Sequence, residues 1–206
     1  MQYLDLKKRL KDFLIFSIKD IEKLNLSFYK QRLSEWQSKG YIKKICQGFY
    51  VFSDLEINEK DMFIIANKIY EPSYVSLETA LSFYGLIPET VYSVTSVTSR
   101  NTKDKKTLIG TFIYKRIKPS FMFGYDLEKH NGFNYRIAEM EKAILDYLYL
   151  NAKINNRESF DETRFNVTEL ISRLDVEKFN KYLEAFNNKA LARRAKKFLT
   201  YIQNYD

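Results

Sequence analysis

The sequence predicts an α+β protein in two parts, a helix-and-hairpin module over residues 1–53 and a mixed α/β domain over 54–206 that ends in a helical bundle. Three observations predict it. Apolar residues recur at helical spacing up to Gly40, then at strand spacing up to Phe52. From about residue 139 onward the spacing is helical again. The basic excess is also uneven: residues 1–50 carry 11 Lys and Arg against 5 Asp and Glu, while the rest of the chain carries 23 against 21. Such asymmetry suggests a polyanion-binding module joined to a near-neutral domain.

The first element is a helix in which Leu4, Leu6, Leu10, Phe13 and Leu14 share a face among Lys7, Lys8, Arg9 and Lys11. Ser17 is placed to cap a short second helix, since its hydroxyl accepts a backbone N–H that the first turn leaves unpaired. Ile18, Ile21 and Leu24 supply that helix's apolar side. Asn25-Leu26 makes a tight turn, Ser27 caps a third helix over about 28–39, and Gly40 ends it where a left-handed residue is favoured. Tyr41–Cys46 and Phe49–Phe52 then read as two strands joined by Gln47-Gly48. Three short helices followed by a hairpin is the order of a winged helix-turn-helix, with the hairpin as the wing.

Read at 100° per residue, the third helix turns Tyr29, Leu33 and Trp36 inward and Ser27, Gln31, Ser34 and Ser38 outward, flanked by Lys30 and Arg32. An outward face of this kind suits the major groove of DNA. Gln pairs two groups with an adenine edge, Ser donates to or accepts from bases and phosphates, and the cations hold the backbone. Lys43, Lys44 and Gln47 on the wing are placed for adjacent phosphates or the minor groove. The expected DNA-binding set is therefore Ser27, Lys30, Gln31, Ser34, Lys43, Lys44 and Gln47. Trp36 is expected in the core, and Cys46 as a small buried residue.

In the second part, 59–70 reads as an amphipathic helix with Met62, Ile65, Ala66 and Ile69 on one side, stopped by Pro72. Tyr74-Val75 is a short strand, Ser76 caps a helix from Leu77 to Tyr84, and Gly85 closes it. Residues 91–98 and 108–117 are strands of a mixed or antiparallel sheet, linked by a polar, basic turn over 99–106. Asn134–Ile137 adds a strand, so the small sheet falls at about 74–137. Residues 139–205 are expected to be helical: 139–150 with Met140, Ala143, Ile144, Tyr147 and Leu148 as its stripe, then 168–174, 176–186 capped by Asp175, and 190–205. The last is strongly basic, with Lys189, Arg193, Arg194, Lys196 and Lys197, and reads as a solvated face rather than a second polyanion contact.

The chain holds one cysteine, Cys46, and one histidine, His130, so neither an internal disulfide nor a Cys- or His-based metal cluster can be assembled within it. Its N-terminal stretch mixes charges with apolar residues and lacks the apolar core of a signal peptide, and no run is long enough for a membrane span. The expectation is a cytoplasmic protein with no cofactor, no metal and no catalytic residue. A DNA-acting nuclease is the enzyme alternative. Glu139, Glu141 and Lys142 follow a strand, but the Asp, then Glu-x-Lys spacing of metal-dependent nucleases is absent.

Several segments resemble one family. Gly40-Tyr41-Ile42-Lys43-Lys44-Ile45 with Gly48-Phe49-Tyr50-Val51, Tyr74-Val75-Ser76-Leu77-Glu78-Thr79-Ala80-Leu81 with Tyr84-Gly85-Leu86-Ile87-Pro88, and Glu141-Lys142-Ala143-Ile144-Leu145-Asp146 with Tyr149-Leu150 are similar, in order, to the AbiEi antitoxins. The similarity spans about 17–150 and is weak beyond Leu150. It implies an antitoxin of a type IV toxin-antitoxin, phage-defence system, whose winged helix represses its own operon by binding inverted repeats in the promoter. It also implies a second domain that counters a nucleotidyltransferase-like toxin without a stable complex. The bottom-up reading alone supports a plain winged-helix regulator. The Ser76–Leu81 and Glu141–Ala143 motifs read as packing motifs, without convergent catalytic groups.

Overall fold

The computed structural model describes residues 2–24, 28–88 and 93–205. Within them the protein is mixed α+β, with two sheets.

The N-terminal module begins with α1 (Tyr3–Arg9), shorter than its apolar spacing predicts. Leu6 and Leu10 are buried, but Leu4 is 73% exposed, and the chain leaves the helix to form β1 (Phe16–Ser17), a strand the helical periodicity conceals. Ser17 caps α2 (Ile18–Lys23) as expected: its hydroxyl accepts from the Asp20 N–H, and the Asp20 carboxylate accepts from the Ser17 N–H in return. The Asn25-Leu26 turn and the Ser27 cap lie outside the described residues. Helix α3 is Gln31–Ser38, so Tyr29 precedes it and is 75% exposed instead of lining the inner face; Leu33 and Trp36 alone of the predicted trio are buried. Gly40, at φ +71°, reverses the chain into β2 (Ile42–Cys46) and β3 (Phe49–Phe52), which pair antiparallel around Gln47-Gly48 with a bulge near Ile45. The sheet order is β1-β3-β2.

Alternation along this hairpin decides how the module sits in the molecule. Ile42, Tyr50 and Phe52 join a core with Leu6, Leu10, Phe16, Ile21, Leu33 and Trp36. Ile45 and Val51, on the other face, join the core of the second part, together with Leu14 and Ile15. The hairpin is therefore packed on both faces, and the boundary at residue 53 is a boundary in sequence rather than in packing.

The second part is built on a six-stranded sheet in the order β6-β7-β5-β4-β9-β8: β4 (Ser73–Val75), β5 (Ser93–Thr98), β6 (Lys103–Thr107), β7 (Gly110–Arg116), β8 (Tyr125–His130) and β9 (Phe133–Ala138). Two of these correct the sequence reading. The basic turn between β5 and β7 contains β6, which lets β5 and β7 run parallel; β8 was not anticipated. Both are edge strands made largely of charged and exposed residues, so no apolar alternation marks them.

Helices cover both faces of this sheet. Val75, Ser96, Tyr114, Ile137 and Tyr135 share one face by register, and α4 (Glu59–Ile69) lies there, its Ala66 carbonyl accepting from the Tyr114 hydroxyl at 2.7 Å and Phe63 packing on Tyr135. Tyr74 alternates to the other face, where α5 (Leu77–Phe83) and α6 (Met140–Leu150) lie. Helices α9 (Val176–Phe186) and α10 (Lys189–Gln203) pack on α6, and α7 (Arg157–Glu162) and α8 (Val167–Arg173) pack on α10; α7 is additional to the predicted set, and Asp175 caps α9 as expected. Among the described residues no helix is long and apolar enough to cross a membrane.

Candidate nucleic-acid interface and a buried polar cluster

The exposed side of α3 and the edge of the hairpin carry the predicted DNA-binding residues. Gln31 and Ser34 are exposed on α3, Lys30 is exposed at its N-cap position, and Lys43, Lys44 and Gln47 are exposed on the hairpin. Ser27 lies outside the described residues. Ser38 is turned back on its own helix, donating to the Ser34 carbonyl at 3.0 Å. Lys43 and Lys44 line a groove of about 410 Å³ with Gln37, Gly40 and Leu108.

Leu108 belongs to the turn between β6 and β7, so the groove brings the second part of the chain up to the module. The contact continues along β6: the Lys105 ammonium lies 3.7 Å from the Cys46 sulfur, leaving Cys46 half-buried beside a cation rather than enclosed in apolar packing. Lys103 and Lys106 are exposed on the same short strand. The lysine run at 103–106 was visible in the sequence, but its place beside Lys43 and Lys44 follows only from the parallel β5–β7 pairing that carries β6 to the sheet edge.

A second arrangement is buried. Lys142 and Asp146, four apart on α6, are both fully enclosed and form an ion pair. Asp146 also accepts from the hydroxyls of Tyr74 and Ser76, each at 2.9 Å, and the Lys142 ammonium donates to the Tyr74 oxygen at 2.6 Å. The rings of Phe186, Phe123 and Tyr74 surround that ammonium at 4.8, 5.1 and 5.2 Å. Burial pulls the Lys142 ammonium below the usual lysine range against the opposing charge of Asp146, and burial with Asp146 beside it pushes the Tyr74 phenol well up. Ser76 of the first motif and Lys142 and Asp146 of the Glu141–Asp146 segment thus meet in a polar cluster closed to solvent, a convergence not expected of motifs read as packing motifs.

This cluster also changes the role of Ser76. It occupies the N-cap position of α5, but its hydroxyl is committed to Asp146 and makes no cap hydrogen bond. The Thr95 hydroxyl of β5 takes that role, accepting from the Thr79 N–H at 3.0 Å and donating to the Ser76 carbonyl at 2.8 Å. Leu77 enters α5 at φ +58°, a left-handed conformation that bulky residues rarely adopt.

Glu139, Glu141 and Lys142 do not converge as a nuclease centre would require. Lys142 points into the cluster, while Glu139 and Glu141 both meet Lys178 of α9, and Glu141 accepts from the Asp175 N–H. Among the described residues no group of three His, Cys, Asp or Glu side chains is placed to hold a metal ion. Comparison of the chain with protein families finds no family that matches, and comparison with characterised proteins finds no significant match.

Proposed function

We propose that the chain is a DNA-binding regulator whose N-terminal module is a winged helix-turn-helix, with α3 as the reading helix and the β2–β3 hairpin as the wing. The observation that carries this reading is the exposure of Gln31 and Ser34 on α3 together with Lys43 and Lys44 on the adjoining hairpin edge. Polar side chains on a short helix beside cations that form no ion pair among the described residues match what base edges and phosphates require. The lysines of β6 extend the cationic strip, so the second part of the chain contributes backbone contacts.

Within that class the proposal is an antitoxin and autorepressor of the AbiEi kind, acting on inverted repeats in its own promoter and countering a nucleotidyltransferase-like toxin. This step rests on the sequence resemblance. The enclosed Lys142–Asp146 cluster agrees with it in one respect: the residues of the Glu141–Asp146 motif are committed to the interior or to α9, which favours a binding protein over a nuclease.

The test is titration of the intact chain with the duplex upstream of its own reading frame. Neutralising Lys30, Lys43 and Lys44 to Gln removes three phosphate contacts and flattens the slope of log affinity against log salt by about 2.7. Unchanged promoter affinity in that variant overturns the docking. A neighbouring reading frame of nucleotidyltransferase type, whose toxicity the chain relieves in cells, is the expected companion; its absence reduces the reading to a plain repressor.

A further inference from the structure

Helix α10 turns one face toward α7, and a groove of about 620 Å³ runs between them. On that face lie Arg193, Lys196, Lys197, Thr200, Tyr201 and Asn204, spaced three and four apart as one side of a helix requires. Arg194 is turned away and donates to the Leu148 carbonyl at 2.9 Å. Charge along this wall is therefore graded. Arg193, Lys196 and Lys197 hold its first half, and the half from Thr200 to Asn204 is neutral. No carboxylate lines the groove, and among the described residues these cations form no ion pair. Arg157, on the α7 wall, already has a counter-charge: it stands 3.9 Å from Asp161, which also accepts from the Tyr201 hydroxyl at 2.9 Å.

Most of the lining is nevertheless apolar. Phe160 and Tyr201 are only 1% and 8% exposed, so the greater part of that surface comes from the carbon stems of the polar side chains around them. Such a groove fits an occupant with an apolar body and an anionic group at one end only. A nucleic-acid backbone carries charge along its whole length, and the neutral half of the wall answers none of it. A partner helix fails on size. Arg193 to Asn204 covers about 16 Å, and a helix of that length, about 10 Å across, displaces about twice the volume of the groove. A single extended hydrocarbon chain lies within it, and a volume of this order is ordinary for a small-molecule site.

We infer that the α7–α10 groove binds a free, single-headed amphiphilic anion of the medium-chain carboxylate class. The head rests on Arg193, Lys196 and Lys197, and the tail runs toward Asn204. The groove shares no lining residue with the one beside the hairpin, so it is a second site, and it stands whether or not the duplex-binding proposal does.

The experiment is isothermal titration calorimetry of the intact chain with dodecanoate below its micellar concentration. One molecule binds per chain, with circular dichroism unchanged. Decanoate, two methylenes shorter, binds about 10-fold more weakly. Acetate, the head alone, gives no measurable heat, and dodecyltrimethylammonium, the same tail with the opposite charge, binds at least about 10-fold more weakly. R193Q/K196Q/K197Q weakens dodecanoate about 10-fold, and T200E, which sets a charge against the tail, does so by a similar factor. K43Q/K44Q leaves it unchanged. The substituted side chains are all exposed, so the variants fold. The inference is overturned if the triple variant loses less than about 3-fold, if chain length has no effect, or if the cationic amphiphile binds equally well. Many molecules per chain with loss of helix also overturn it, as surfactant unfolding. Displacement of dodecanoate by oligothymidylate gives the groove to a polyanion instead, and displacement by phosphatidylglycerol vesicles gives it to a membrane surface.

Discussion

Replacing Asp146 with Asn tests the buried cluster directly. The substitution keeps the shape and an oxygen that accepts from Tyr74 and Ser76, but it leaves the Lys142 ammonium enclosed by three aromatic rings with no counter-charge. Removing one partner of a buried ion pair costs about 3–5 kcal/mol, because the remaining charge is stranded away from water. Both side chains are fully buried, so solvent screening does not reduce this. Unfolding entropy of about 2.1 cal/mol/K per residue gives a chain of 206 residues about 0.43 kcal/mol/K at its midpoint. A loss of about 4 kcal/mol then lowers Tm by about 9 °C. Differential scanning calorimetry on the wild type, D146N, K142M and K142M/D146N closes a double-mutant cycle. The double variant carries no stranded charge, so it recovers most of the loss. A D146N shift below about 2 °C, or a double variant no more stable than D146N, refutes the description of an enclosed, mutually dependent pair.

Two further outcomes follow from neighbouring features. Ser17→Ala removes a true helix cap and costs about 1 kcal/mol, whereas Ser76→Ala removes a buried hydrogen bond to a carboxylate and costs about 1.5–3 kcal/mol. Denaturant titrations that rank the two equally contradict the assignment of the α5 cap to Thr95. At high pH, burial raises Tyr74, Tyr84 and Tyr114 above the ordinary value of 10.0, so these phenols stay protonated in the folded chain while their unfolded counterparts ionise. Their contribution is intact below about pH 10 and is lost as pH climbs above it. Phenolate absorbance should therefore rise cooperatively with loss of circular dichroism, and a smooth rise in fully folded protein would contradict their burial.

What the sequence revealed and what it hid follows from how each signal arises. Ser17, Gly40, Gln47-Gly48 and Asp175 act through local backbone chemistry, and each was readable in place, whereas the return bond from Asp20 to Ser17 was not anticipated. Tyr29 was misplaced because a helical wheel extends a helix it does not bound; the ordered helix begins at Gln31. Lys103–Thr107 and Tyr125–His130 are strands without apolar alternation, because an edge strand exposes most of its side chains. The Lys142–Asp146 pair left a faint trace, two opposite charges four apart in a helix whose other positions are mostly apolar. That trace identifies a pair, but only the sheet topology that brings Tyr74 and Ser76 beneath α6 makes it a cluster. Ser76 shows the limit most clearly: its position was right and its partner was not, since Thr95 comes from a strand nineteen residues away in the chain.

Under the proposed duplex-binding function, the double-sided packing of the β2–β3 hairpin bears on how operator halves would be measured. A reading head tied on by a loose tether lets two copies straddle a range of half-site separations. Here Ile45 and Val51 wedge the hairpin into the core of the second part, so a protein that binds duplex as proposed would act as a caliper with a fixed jaw. Adding one base pair between operator halves swings the second half by about 35° around the duplex, and a jaw of this kind has no slack with which to follow it.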